Sequence, residues 1–513
     1  VSFLPRVFFA HHSIDFSGMI PYNAEKIRIK TNKLEHRMKK EWAVLFLCLA
    51  FFSCQKEKED PIDSLMNQGR FREASQAIRA RIHGTAEKKA LEWKLEWMER
   101  VRKDYPYSKQ EIIQQLKRRM AGFQPEELDT WIAGNLIDSR IIDGERVFLY
   151  AAVSNLFWRY PELRKRQIGR PDPKQYEAFL WKRVQAVKEA AEKTCSPHVL
   201  PVDWKVRFRL VVRADAVPAG HVVRAWLPFP RSFPHQTVGQ LLDRPPGLKW
   251  VDPPDRPLRA AYFEKKAEAG KPLVFEMDIR YRTLGVYHSI DPEIVRVNPE
   301  FPEEVRPYLK ERPPHVVFTP AIRELAKDIV GSEENLYWRA WKIYRWISEN
   351  IRYSYAPEYS TIPNLSQYTL ERKVGDCGQA AMLFITLARY CGIPARWQSG
   401  WLLLPRGKTI HDWAEVYLPP YGWIPVEPYM GMYVLQYTET LSEKQKEELL
   451  TFYFGGLEGF RYIANSDHSQ ELYPVKFHFR SDPVDFQRGE VEWQGGNIYF
   501  DQFDYDLMTE WKE

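Results

Sequence analysis

Apolar and polar positions change their period several times along the chain. From Ile62 to about residue 197 the apolar residues recur at helical spacing, with clear runs at 86–102 and 109–120. Leu65 to Ala74 reads as two short helices around Asn67-Gln68-Gly69. From Val202 the period drops to two. Trp204 to Val212 and Phe275 to Tyr281 alternate apolar with polar, and Pro and Gly punctuate the stretches between. This predicts an antiparallel β-sandwich over 198–297. Helical spacing returns with a helix starting at Ser332, carrying Glu333 and Glu334 in its first turn and a core stripe of Tyr337, Trp341, Tyr344 and Ile347. A second helix follows Cys377. Its run Met382, Leu383, Phe384, Ile385, Leu387 is nearly continuous, so most of its sides are expected to be buried, and Gly392 and Pro394 end it. Trp413 to Leu418 suits a strand, Pro419 to Gly422 a turn, and Trp423 to Glu427 a returning strand. Leu441 to Gly455 reads as an amphipathic helix. The tail from Tyr473 reads as short strands, including 491–494 and 497–500, that complete a sheet. The fold class is α+β and multidomain: a helical module at 62–197, a β-sandwich at 198–297, a mixed core at 298–438, and a 439–513 extension that completes the core.

The segment Gly375-Asp376-Cys377-Gly378 sets a cysteine between a turn and the first turn of the apolar helix. A helix N-terminus carries unpaired N–H groups and partial positive charge, which favours a thiolate. A thiolate is a nucleophile, and the same N–H groups can receive the oxyanion formed when it attacks an amide. A cysteine nucleophile also needs an imidazole to move its proton, and the imidazole needs a carboxylate to fix its tautomer. His411 opens the strand that follows, and Glu427 ends the returning strand. Asp412 is the competing carboxylate, but strand neighbours point to opposite faces, which turns it away from the side of His411. A plain four-residue turn would set His411 opposite Met430. Reaching Glu427 therefore calls for a bulge or an early bend near Pro425. Tyr355 is a further oxyanion-donor candidate, with core packing as its other reading.

These residues resemble the core of the transglutaminase-like superfamily, which shares the papain-type Cys-His-Asp arrangement. The likeness lies in Gly375-Asp376-Cys377, in Gly392 to Arg396, in His411-Asp412-Trp413-Ala414-Glu415-Val416, and in Gly422-Trp423 with Glu427-Pro428. It implies a papain/transglutaminase-like catalytic core with Cys377 as nucleophile, His411 as base and Glu427 as orienting acid. The family's third member is usually Asp; here it is Glu, one methylene longer.

Composition narrows the picture. The 74 basic and 68 acidic residues nearly balance at +6, and no long basic run is interleaved with aromatics, so nucleic acid is not an expected partner. Trp93 with Trp97, and Trp338 with Trp341, sit at helical spacings that favour core packing over sugar platforms. Met38-Lys39-Lys40, the apolar run 42–52 and Ser53-Cys54 read as a bacterial export signal resembling that of lipoproteins, with Cys54 lipidated. On this reading 1–37 is a non-native or unstructured extension, 38–54 is the signal, and the charged stretch 55–61 is a tether. Cys377 and Cys391 lie at opposite ends of one helix, about 21 Å apart, too far for a disulfide. No disulfide framework, metal or other cofactor is expected.

The expected function is thiol-dependent acyl transfer or hydrolysis at a peptide or protein amide. The protein is expected to be exported and held by its lipid in the cell envelope, at the outer membrane and exposed on its outer face. The rival readings are a non-catalytic binding or scaffolding lipoprotein built on the same core, and a glycan-binding lipoprotein.

Overall fold

The computed structural model describes residues 60–82, 86–297, 299–405 and 407–512. The extension at 1–37, the export signal with Cys54, and the tether up to residue 59 lie outside the described residues. Two compact units divide the chain, 1–64 and 65–513. The described part of the first is residues 60–64, where a helix starts at Pro61. The second contains the layers described below. Among the described residues no helix is long and apolar enough to cross a membrane.

The first layer is helical: α1 (Phe71–Arg81), α2 (Lys88–Asp104), α3 (Lys109–Arg119), α4 (Pro125–Ala133), α5 (Ala152–Arg159) and α6 (Lys174–Thr194). Apolar stripes of α3, α4 and α5 meet in one cluster around Leu116, Leu128, Trp131 and Leu156. A hairpin of β1 (Ser139–Ile142) and β2 (Glu145–Phe148) interrupts the helices. Its Asp143-Gly144 turn, with φ of +50° and +89°, is a two-residue hairpin turn that a helical period hides.

The second layer is a β-sandwich. One sheet carries β3 (His198–Val212), β5 (Gln240–Leu241) and β8 (Leu273–Tyr287); the other carries β4 (Val222–Pro228), β6 (Leu248–Val251) and β7 (Ala260–Lys266). Along β3, Trp204, Val206, Phe208, Leu210 and Val212 point inward, as strict alternation requires. The C-terminal segment is shared between two layers. Strands β16 (Glu490–Trp493), β17 (Gly496–Ile498) and β18 (Phe503–Lys512) complete the two sandwich sheets, whereas β15 (Arg461–Asn465) enters the sheet of the core.

The core holds α7 (Pro320–Val330), α8 (Leu336–Asn350), α9 (Leu365–Arg372) and α10 (Cys377–Tyr390). These pack on a four-stranded antiparallel sheet of β13 (Gly422–Val426), β12 (Gly407–Leu418), β11 (Ala395–Leu404) and β15, in that order. Helix α8 starts four residues after Ser332. Asn335 is its cap, its side chain accepting from Tyr337 N at 2.9 Å and Trp338 N at 3.4 Å. Tyr337, Tyr344 and Ile347 are buried, while Trp338 is 38% exposed and belongs to the surface. Every residue of α10 from Gly378 to Arg389 is buried. Gly392, at φ +78°, turns the chain out of this helix into β11.

Two sets of contacts fix the surroundings of the site. The helical layer grips residues 355–361: Asn155 Nδ2 donates to Tyr355 O (3.0 Å), Tyr355 N donates to Asn155 Oδ1 (2.8 Å), and Thr361 Oγ1 donates to Asp104 Oδ2 (2.9 Å). The sandwich holds β15 from the other side, through Tyr281 Oη donating to Arg461 O (2.9 Å) and Tyr462 Oη donating to Pro228 O (2.7 Å).

Candidate active site

Cys377 is the first residue of α10, and Asp376 is its cap. Asp376 Oδ1 accepts from Gln379 N at 3.0 Å, and Gln379 Oε1 accepts from Asp376 N at 3.2 Å, a reciprocal capping box that fixes the turn carrying the sulfur. Tyr359 Oη also donates to Asp376 Oδ1, at 2.7 Å. The next residue must be glycine for steric reasons. A Cβ on Gly378 would stand 2.1 Å from Tyr359 Oη and 2.6 Å from Asp412 Oδ2.

His411 lies on β12 opposite Gly400 of β11 and is buried. Its ring is set by Trp413, near-parallel at 5.8 Å between centroids, and by Tyr429, edge-on at 5.3 Å. Nε2 stands 3.1 Å from each oxygen of Glu427. The carboxylate therefore engages Nε2 and leaves Nδ1 outside this pair.

Glu427 reaches this position without a bulge. The β12–β13 ladder runs in unbroken register from Leu418↔Gly422 to Ala414↔Val426, around a three-residue turn rather than four. Strand β13 then stops, and Glu427 is the residue before α11 (Pro428–Tyr437), whose first position is proline. The early bend is thus a strand-to-helix switch, and the extra methylene of Glu carries the carboxylate to the ring.

Two residues of this constellation had not been picked out as candidates. Arg461 Nη1 pairs with Glu427 Oε1, and Arg461 binds Glu458 at 2.8 Å and 3.0 Å; all three side chains are buried. The guanidinium also lies over Trp413, 4.7 Å from its ring centroid. Burial alone would raise the Glu427 pKa, but Arg461 and His411 hold it below the usual glutamate value. The signal was present in the chain: Glu458 and Arg461 are the charged residues in the otherwise apolar stretch 452–464.

Asp412 points away from His411, as strand alternation requires, and faces Cys377 instead. Cys377 Sγ donates to Asp412 Oδ2 at 3.5 Å, and Gln487 Nε2 donates to Asp412 Oδ1 at 2.6 Å. The electrostatics of the sulfur differ from the helix-terminus expectation. Burial among protein atoms, then the neighbouring Asp412 and Asp376, push the Cys377 thiol well above its ordinary range, and the Asp412 backbone N–H only partly offsets them. Dense packing around the sulfur outweighs the half-charge of the helix end. The resting thiol is neutral, although the residue keeps partial solvent exposure.

Cys377 stands where two cavities meet. One, of about 480 Å³, is lined by Tyr359, Asp376, Asp412, Asp482 and Arg488; the other, of about 380 Å³, by His411, Trp158, Tyr429, Tyr433 and Lys408. Tyr353 and Tyr355 border both. Among the described residues, no group of three His, Cys, Asp or Glu could hold a metal ion.

This helix–strand–strand arrangement with its three polar side chains defines a class. Residues 323–428, which include Cys377, His411 and Glu427, match the family model for the transglutaminase-like superfamily, and this segment is a domain of that superfamily. Over a stretch that covers 21% of this chain and 17% of the relative, the chain is 27% identical to YebA, an uncharacterized protein of Bacillus subtilis (strain 168). Among solved structures it is similar to a candidate cysteine protease from Cytophaga hutchinsonii, with a TM-score of 0.41 and 15% identity over 61% of this chain and 91% of that one. It is also similar to the periplasmic domain of TgpA from Pseudomonas aeruginosa, with a TM-score of 0.25 and 16% identity over 51% of this chain and 96% of that one.

Proposed function

We propose that this protein carries out thiol-dependent acyl transfer from a peptide or protein amide, with Cys377 as nucleophile, His411 as base and acid, and Glu427 as the residue that orients His411. The observation that carries this reading is the His411–Glu427 pair, whose ring shares a cavity with the Cys377 sulfur while both carboxylate oxygens hold Nε2. Because the resting thiol is neutral, its proton passes to His411 Nδ1 as the sulfur attacks the amide carbonyl carbon. The backbone N–H of Cys377, the helix-end donor that the Asp376 cap does not use, receives the oxyanion. The C–N bond then breaks, the leaving amine takes the proton from Nδ1, and an acyl thioester remains. Water attacks the thioester with His411 again accepting the proton, the C–S bond breaks, and the thiol is restored. Glu427 stays ionised throughout, supported by Arg461, and offsets the positive charge on the ring.

Both cavities open on the sulfur, which suits a substrate extended on either side of the scissile amide. Water rather than a second amine is the expected acceptor, the default where a site does not exclude it. The apolar run 42–52 with Cys54 supports placing the substrate outside the cytoplasm. The test is turnover of a fluorogenic peptide-amide library with and without a fluorescent primary amine, read by mass spectrometry. Product acids that vanish in Cys377→Ala and fall about 100-fold or more in His411→Ala are expected. Equal turnover in all three proteins would remove the enzymatic reading. The thiol's hydrogen bond to Asp412 favours the second reading, a non-catalytic binding module. That reading predicts peptide binding without product.

A further inference from the structure

The residue beside His411 has a role that the Cys377–His411–Glu427 reading leaves unassigned. Asp412 is 3% exposed and carries no cation partner in its contacts: its oxygens meet the Cys377 thiol, Gln487 Nε2 at 2.6 Å and, at 3.5 Å, Tyr359 Oη. Across the ladder from Asp412 is Ser399. Ser399 Oγ donates to Asp485 Oδ1, which also accepts from Asn465 Nδ2 at 3.1 Å and from Phe486 N at 2.7 Å. Three donors therefore converge on this one oxygen of Asp485. Among the described residues its other oxygen, Oδ2, is buried and has no N–H or hydroxyl donor. A buried carboxylate oxygen without a donor is costly, and the neighbour placed to supply a proton is the Asp412 carboxyl, which hydrogen-bonds Asp485.

We propose that Asp412 and Asp485 share one proton, carried by Asp412, and that this neutral carboxylic acid positions the Cys377 sulfur for reaction. Two buried carboxylates in contact cannot both ionise cheaply, as in the acid pairs of other enzymes. The other charged or titratable groups facing this pair reinforce the point. Asp376 caps α10, Asp482 lies three positions before Asp485 outside the sheet, and both carboxyls are raised to about 6. The neighbouring cation, Arg488, is drawn to Glu358 at 2.5 Å and lies 3.6 Å from Asp482. Burial, Asp485 and Asp376 likewise raise Asp412 well above the usual carboxyl range.

The role follows from the charge. An ionised Asp412 would repel the thiolate beside it. A neutral one leaves the thiol's proton free to move to His411 Nδ1 while keeping its own on the Asp485 side, and it sets no negative charge beside the sulfur as the thiolate forms. Asp412 is a positioning residue on this account, and its role rests on Cys377 being the nucleophile.

Two experiments on the full chain, in a Cys195→Ser background, test it. The first is the infrared carbonyl band of a protonated carboxyl at neutral pH. A band present in the parent and lost in Asp412→Asn is expected; an unchanged spectrum overturns the assignment, whatever the site does chemically. The second is the iodoacetamide alkylation rate of Cys377. Asp485→Asn places an amide N–H where Oδ2 has no donor, lets Asp412 ionise, and is expected to slow alkylation about tenfold. Asp412→Asn/Asp485→Asn restores most of the rate. Unchanged or faster alkylation in Asp485→Asn overturns the proposal, and the infrared result decides it should that variant not fold. Failure of the parent reading shows differently, as alkylation indifferent to His411.

Discussion

At the scale of single residues, the site is a line of paired side chains: the His411 ring, Glu427, Arg461, Glu458. Arg461 is the member on which both acids depend. Replacing it with Met leaves two buried carboxylates without a cation, and this is expected to cost about 3–5 kcal/mol of stability, read as a lowered denaturant midpoint. The pH dependence has a defined sign. Glu427 has a folded pKa below its unfolded one, so its contribution is fully present above the unfolded value and is lost as pH falls through the folded one. In Arg461→Met the folded pKa of Glu427 rises, so this loss of stability on acidification becomes smaller. The sulfur is governed differently, because packing around it outweighs the helix terminus and leaves a neutral thiol that depends on His411 for activation.

At the scale of elements, β11 holds the site together. Gly400 lies opposite His411 on one side and opposite Ile463 of β15 on the other, where the β11–β15 register slips by one residue. A Cβ on Gly400 would fall 1.7 Å from the carbonyl oxygen of Tyr462. Gly400→Ala therefore has to push β15 away from the sheet, moving Arg461 off Glu427. It is expected to destabilise the protein by about 1–3 kcal/mol and to lower amide turnover even where the protein still folds, checked by denaturation and kinetics on the same sample.

Much of this was legible in the chain. The buried helix behind Cys377, the returning strand and the alternation of β3 follow from local periodicity, and Cys377, His411 and Glu427 follow from motif spacing. The remainder depends on contacts distant in sequence. Nothing local to Asp412 announces Asp485 more than seventy residues later, nor does the helix end at Cys377 announce how densely the sulfur is enclosed. The start of α8 was misplaced because Ser332 and Asn335 are both competent caps, and packing chose the second. The Asp143-Gly144 hairpin is a two-residue signal inside a helical region, too short for a periodicity window.

At the scale of the whole molecule, the helical layer and the sandwich act as the two jaws that hold the core: the first fixes residues 355–361 along the cleft, the second fixes β15 and with it Arg461. Where sandwich and core meet, His198, His235 and His288 gather with ring centroids 6.0 Å and 6.2 Å apart. Burial lowers His235 and His288 to about 4. A histidine with a depressed folded pKa contributes stability that is complete above its unfolded value, near 6.5, and is lost as pH falls toward 4. The stability advantage of the parent over His288→Gln should therefore shrink between pH 7 and pH 5, measured as the difference in unfolding free energy; an advantage constant across that range would place the charge elsewhere. The most direct test of the account remains at the sulfur. In a Cys195→Ser background, the Cys377 alkylation rate at neutral pH is predicted to fall about tenfold or more on His411→Ala, with Cys391, whose thiol burial pushes up to about 11, reacting slowly in both. Equal Cys377 rates with and without the imidazole would contradict it.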